Sequence, residues 1–224
     1  CACGRRTPTA WPDLRAGERA CLTVTFVLAA EQPWAPAGHV VASTQFAMAV
    51  APHPTDGPAV GPSGRTLASL EPELALWRAP IDNETFAPVL DPHAARWERL
   101  RLRDAAAVAA LVTSSSDTEG GIGVVHEVTI PAEVDDLPRV GVRLRLGPGV
   151  RTVEWLGEGP HEGYADRQAS TRFGRWTTPV DAWAVPYVHP QASGNRTGVR
   201  WLRFIDGDGG TVLTIDQFDG LDVT

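Results

Sequence analysis

The residues best able to do chemistry fall in three short stretches. The first is Trp155 to Gln168, WLGEGPHEGYADRQ, which holds Trp155, Glu158, His161, Glu162, Tyr164, Asp166 and Arg167. Four of its residues are Gly157, Gly159, Pro160 and Gly163, a composition that predicts a loop rather than a regular helix or strand. Carboxylates, an imidazole and a guanidinium beside aromatic rings suit a sugar. Sugars present hydroxyls on their edges and C–H faces on which rings stack. The structural alternative is a tight loop in which Arg167 pairs with a carboxylate and the Tyr164 hydroxyl serves a backbone group.

The second stretch is Leu76 to Glu84, LWRAPIDNE, where Arg78, Asp82, Asn83 and Glu84 gather around Pro80. An Arg78–Asp82 pair across such a turn is expected to be structural more often than catalytic. The third is Val185 to Arg200, VPYVHPQASGNRTGVR, with His189 and Asn195 between two prolines and two glycines. A lone histidine such as His189 is usually an ordinary surface or core residue. A retaining glycosidase needs two carboxyl groups about 5–5.5 Å apart, one protonated and one ionised. Glu158, Glu162, Asp166 and Asp82 are available, but no spacing shows that any two meet. No nucleophile elbow, phosphate loop, dinucleotide fingerprint or zinc signature is present.

These loops need strands to position them. Leu22, Val24, Phe26 and Leu28 alternate with Thr23, Thr25 and Val27, and a second apolar stretch runs from His39 to Val50. Val140, Val142, Leu144 and Leu146 alternate with Gly141, Arg143 and Arg145, which predicts a strand with one buried face. Strands are also expected over 124–130 and 152–156. Those over 199–205 and 211–215 flank Asp206-Gly-Asp-Gly-Gly210, a hairpin signal. Ala105 to Val112 is read as a strand despite its helical propensity. One short helix is expected, capped by Asp91, with Pro92 in its first turn and Ala94, Trp97 and Arg101 on one side.

The chain has 224 residues, 22 of them glycine and 19 proline, so it turns too often for a helical bundle. Residues 51–64, APHPTDGPAVGPSG, have linker composition and divide residues 1–50 from residues 65–224. The net charge is -7, all 20 basic residues are arginine, and no basic stripe points to nucleic acid. The longest apolar run, Ala105 to Val112, is far short of the roughly 20 residues that span a bilayer, so no membrane is expected. No secretory leader is evident in the first residues. The three cysteines, Cys1, Cys3 and Cys21, form no disulfide framework and suit a reducing, cytoplasmic compartment. The sole methionine is Met48, and both ends read as cut, as in a fragment of a longer chain.

LWRAPIDNE (76–84), VEWLGEGPHEGYADRQAS (153–170), FGRW (173–176) and PYVHPQASGNRTGVR (186–200), with WAPAGHVVASTQF (34–46) upstream, occur in the order and spacing seen in one family. Together they resemble the C-terminal part of a β-galactosidase of glycoside hydrolase family 2, the long-chain lactase type. The resemblance implies an all-β chain. Residues 1–50 would be the last strands of an immunoglobulin-like β-sandwich. Residues 65–224 would form the small-chain domain, an antiparallel β-supersandwich similar to galactose mutarotase and truncated at its C-terminus.

The resemblance also implies that the catalytic Glu pair lies on a (β/α)8 barrel outside this segment, so no catalytic residue is assigned here. Mg2+ and Na+ would belong to that barrel, and no metal or cofactor is expected in the segment. The implied partners are a β-galactoside sugar, the rest of the β-galactosidase chain and further copies in a homo-oligomer. Arg78, Asp82, Asn83 and Glu84 would sit at the pocket rim or between domains, at the base of the loop Glu84 to Asp91. Trp155, His161, Glu162, Tyr164, Arg167, His189 and Asn195 would face the sugar or hold the loops. Two other readings are a separate non-catalytic carbohydrate-binding or assembly subunit, and a sugar epimerase using His161 as acid and a Glu as base.

Overall fold

A computed structural model describes residues 13–14, 19–50, 71–85, 91–118 and 121–224. The proposed linker at 51–64, Cys1, Cys3 and most of the loop from Glu84 to Asp91 lie outside the described residues. The chain divides into two units, residues 1–57 with 172–174, and the remainder.

In the first unit, β1 (Arg19–Val27) and β2 (Val40–Val50) form an antiparallel hairpin. The alternation read from the sequence sets the two faces of β1, and the pairing places Leu22 opposite Phe46, Val24 opposite Thr44 and Phe26 opposite Ala42. These apolar side chains share one face, while Thr23, Thr25, Ser43 and Gln45 share the other. Leu22, Phe26 and Phe46 remain 37%, 59% and 50% exposed, so the described residues leave this face open.

In the second unit, strands again dominate and all pairings are antiparallel. β3 (Glu73–Ala75) pairs with β6 (Gly141–Arg143), and β4 (Ala110–Thr118) with β5 (Gly121–Thr129). The main sheet has the order β10–β9–β7–β8, from β7 (Val150–Gly159), β8 (Arg172–Pro179), β9 (Arg196–Asp206) and β10 (Thr211–Val223). One of its faces buries Val153, Trp155, Val199 and Leu202, with Trp176, Trp183 and Phe204 against them. A second core joins Leu76, Trp97, Leu102 and Ala105. This all-β antiparallel architecture agrees with the expected sandwich class.

Several local expectations are corrected. Residues 105–112 are not one strand. Ala105–Val108 is a short helix, α3, and β4 begins at Ala110, because three consecutive alanines favour helix until Leu111 and Val112 join the β4–β5 ladder. The predicted strand at 140–146 pairs only over Gly141–Arg143, since its partner β3 is three residues long. The loop predicted from Trp155 begins later, because Trp155 to Gly159 complete β7. Its glycines are there for close approach. A Cβ on Gly157 would lie 2.8 Å from the Val199 Cα, and one on Gly159 would lie 2.7 Å from the Trp176 ring.

The helix α2 spans His93–Arg99, and its N-cap is Pro92 with no side-chain cap. Asp91 instead pairs with Arg99 at 2.7 Å. Trp97 is buried, but Arg101, expected on the same side of the helix, lies past its end at φ +57°. The hairpin at 206–210 forms as read. Its Asp206 carboxylate accepts the Asp208 and Gly210 amides at 3.0 and 2.7 Å, and Gly209 supplies φ +84°.

Candidate functional site

Two neighbourhoods in the second unit contain the candidate side chains. The first is built by the loop after β7 and the segment before β9. Glu162 is its hub, with its side chain 5% exposed. Glu162 Oε1 accepts the Arg167 guanidinium and the Tyr187 hydroxyl, and Oε2 accepts the Gly194 amide at 2.7 Å. Arg167 also donates to the Tyr187 oxygen at 3.2 Å. The two segments are stitched beside this hub. Asn195 Nδ2 donates to the Gly163 carbonyl at 2.7 Å, and the Gly163 amide donates to the Asn195 carbonyl at 2.9 Å.

Burial alone would raise the Glu162 pKa. Hydrogen bonds from Tyr187, Gly194 and Arg167 outweigh it and hold the carboxyl below its ordinary value. Glu162 is therefore an ionised acceptor with both oxygens engaged. It cannot deliver a proton as a general acid, and attack on a substrate would require breaking its hub. The same engagement removes it as the base of an epimerase. Tyr164 beside it has a raised pKa, from burial first and then from the Glu162 charge.

Trp155 is 1% exposed and packs edge-on against Trp183 at 5.2 Å, so it belongs to the core and cannot face a sugar. Asn195, 7% exposed, likewise holds the loop. Beneath them, Arg196 lies over the rings of Trp155 and Trp183 at 5.3 and 4.6 Å. Its guanidinium donates to the carbonyls of Gly194, Asn195 and Trp183 at 3.1, 3.3 and 3.3 Å. His161 is exposed.

The second neighbourhood is the LWRAPIDNE turn, which ends in α1 (Asp82–Thr85). The expected Arg78–Asp82 pair is not formed. Arg78 grips Glu84 instead, at 2.8 Å from Nη1 and 2.6 Å from Nη2, and the Ile81 amide donates to Glu84 Oε2 at 2.8 Å. The choice is geometric, because Glu84 reaches back across the turn from one residue pair further on and has the longer side chain. Burial opposes the charge on Glu84, but Arg78 and the Ile81 amide lower its pKa. Arg78 also covers the Trp97 ring at 5.2 Å, which ties the turn to α2. Asp82 and Asn83 are left exposed.

Asp82 meets the third stretch: its Oδ1 lies 3.9 Å from His189 Nε2, both side chains being 71% exposed. The structure thus brings Asp82 to His189 and Glu162 to Arg167, with Asn195 behind, while Trp155 withdraws into the core. Sequence reading missed Tyr187, Gly194, Trp183 and Arg196 as members of the hub. Tyr187, Gly194 and Arg196 lie inside the stretch 185–200, so their loop was marked, but backbone donation by Gly194 leaves no side-chain signal.

Among the described residues, no group of three or more His, Cys, Asp or Glu side chains is placed to hold a metal ion. Glu162 and Glu84 are already occupied by arginine and backbone donors. The resemblance places Mg2+ and Na+ on the barrel rather than at these residues, and no chemical step runs through them here.

A family model described as beta galactosidase small chain matches residues 60–223, and one described as beta-galactosidase, domain 4, matches residues 4–49. The chain belongs to the β-galactosidase small-chain family. It is 26% identical to a beta-galactosidase of Photobacterium profundum over 91% of this chain and 27% of that protein. It is 33% identical to one of Erwinia tasmaniensis over 57% of this chain and 16% of that protein. A beta-galactosidase of Aeromonas hydrophila is 41% identical over 39% of this chain and 9% of its own length. The chain thus spans about a quarter or less of the curated relatives it matches. Within this small-chain family member, the carboxylates of Glu84 and Glu162 are each held by an arginine and a backbone amide. No helix among the described residues is long and apolar enough to cross a membrane.

Proposed function

We propose that this chain is the non-catalytic small-chain segment of a β-galactosidase that hydrolyses terminal β-D-galactosides, lactose among them, with retention. The observation that carries the reading is the family match over residues 60–223, joined to carboxylates whose oxygens are already held by arginines. In a retaining hydrolysis one carboxyl group forms a glycosyl-enzyme and the other serves first as acid and then as base. Those two groups are assigned to a (β/α)8 barrel elsewhere in the polypeptide. This segment contributes the pocket rim, with Asp82, Asn83 and His189 as its exposed polar groups and the Arg78–Glu84 and Glu162–Arg167 pairs as its anchors. Held rigidly, such a rim orients the sugar and excludes water. The reading also takes residues 1–50 as the end of an immunoglobulin-like domain, 51–64 as a linker and 65–224 as the supersandwich. The enzyme is assigned to the cytoplasm as a homo-oligomer.

The test is Asp82→Ala in a β-galactosidase polypeptide that carries both barrel and segment. The expected result is a fall of about tenfold in kcat/KM, equivalent to ~1.4 kcal/mol of transition-state stabilisation, with an unchanged melting temperature. Unchanged kcat and KM would remove the rim assignment.

A further inference from the structure

Glu162 fastens both ends of one loop. Its Oε1 accepts the Tyr187 hydroxyl and its Oε2 accepts the Gly194 amide at 2.7 Å, so a single carboxylate cinches residues 188–193 at their base. Arg167 braces the first end, donating to the Tyr187 oxygen at 3.3 Å from Nη1 and 3.2 Å from Nη2. Arg196 braces the second end, donating to the Gly194 carbonyl at 3.1 Å. Among the described residues, the one polar contact of the loop between these ends is His189 Nε2 with Asp82 Oδ1, at 3.9 Å. His189 is two residues past Tyr187, and two residues of chain reach about 7 Å at most. Where the phenol is held therefore limits where the imidazole stands.

The gap of 3.9 Å is too long for a direct hydrogen bond. It is one hydroxyl wide. An oxygen about 2.8 Å from both atoms sees them at an angle of about 90°, which suits one donated and one accepted bond. Such a hydroxyl accepts from the imidazole Nε2–H and donates to the Asp82 carboxylate. An anionic oxygen has no proton to give and would meet the Asp82 charge. Both side chains are 71% exposed, so a ligand can reach them. A rim meets the sugar at the pocket mouth, which in a disaccharide is the outer, leaving sugar.

We propose that His189 and Asp82 hold one hydroxyl of the leaving sugar between them, and that Tyr187, clasped by Glu162, is the positioning residue that sets the gap. The pair selects galactosides whose leaving group carries hydroxyls. This rests on the assignment of the segment to the pocket rim.

The test uses a β-galactosidase polypeptide that carries both barrel and segment. Its substrates are lactose and o-nitrophenyl β-D-galactoside, whose leaving group carries no hydroxyl before cleavage. The expected result is a KM for lactose about tenfold higher in His189→Ala and about fivefold higher in Tyr187→Phe, with kcat and the nitrophenyl KM within about twofold of wild type. The double variant is expected to match His189→Ala, because Tyr187 acts through His189. A tyrosine that only stabilises the fold would move both substrates alike and multiply with His189→Ala, and either result overturns the proposal. Wild-type lactose kinetics in Tyr187→Phe beside a weakened His189→Ala overturn the positioning role and leave the rim standing. Wild-type lactose kinetics in His189→Ala overturn the hydroxyl contact, and the rim reading falls with it only if Asp82→Ala is silent too. Should Tyr187→Phe fail to fold, Arg167→Met removes a donor to the phenol from a side chain that is 53% exposed, and an unchanged lactose KM there overturns the proposal instead.

Discussion

Glu162 shows how a residue's neighbours decide its chemistry. A glutamate next to a histidine in a glycine-rich loop has the composition of an acid–base site, yet its oxygens are held by Arg167, Tyr187 and Gly194. Replacing it by glutamine removes a charge-assisted hub. Glu162→Gln is expected to lower unfolding stability by about 2–3 kcal/mol in urea titration. The pH dependence has a definite sign. Glu162 and Glu84 both have folded-state pKa values below the ordinary value, so the unfolded chain binds more protons as the pH drops through the carboxylate range. Their stabilisation is present above the unfolded pKa of about 4.3 and is lost as pH falls through the lower folded values. The urea midpoint of the chain should therefore fall on acidification below about pH 5, and Glu162→Gln should flatten that fall. An equal slope in the variant would mean that Glu162 is not the group responsible.

At the scale of elements, β7 organises the second unit. Its side chains Val153 and Trp155 fill the core while Glu154, on the other face, reaches Arg175 on β8 and Arg203 on β9 at 2.5 and 3.1 Å. The strand can pass its neighbours because Gly157 and Gly159 present no side chain to Val199 and Trp176. Gly157→Ala places a methyl against backbone, where no rotamer change relieves it. It should cost about 1–3 kcal/mol, read as a lower melting temperature. Gly38→Ala tests a different cause, since its Cβ would meet nothing but its φ is +83°. The loss there should be smaller, about 1 kcal/mol, and should come from backbone strain alone.

At the scale of the molecule, the small-chain family match and the exposed apolar face of the β1–β2 hairpin bear on how the chain behaves by itself. Leu22, Phe26, Phe46 and Met48 are 37–59% exposed, and a two-stranded ribbon is marginal in water without a covering layer. The isolated chain is expected to self-associate as its concentration rises, and Phe26→Ser with Phe46→Ser should reduce that association in light scattering. The isolated chain is also expected to release no o-nitrophenol from a β-galactoside. Turnover at ordinary enzymatic rates by pure chain would contradict the assignment of catalysis to a barrel.

The sequence by itself determined the strand-rich class, the two-faced alternation of the strand at Leu22–Leu28 and the turn at Asp206–Gly210. Each follows from short-range rules: period-two alternation and the positive φ open to glycine. The motifs of 76–84, 153–170 and 186–200 also marked the loops that matter, because polar groups packed among glycines and prolines are visible without coordinates. Tertiary structure alone decided which polar groups meet. Arg78 chose Glu84 over Asp82, Glu162 recruited a backbone amide 32 residues away, and Trp155 turned into the core. The reason is the same in each case: a hydrogen bond or an ion pair depends on distances across the fold, and local pattern fixes only which face of a strand a side chain leaves from.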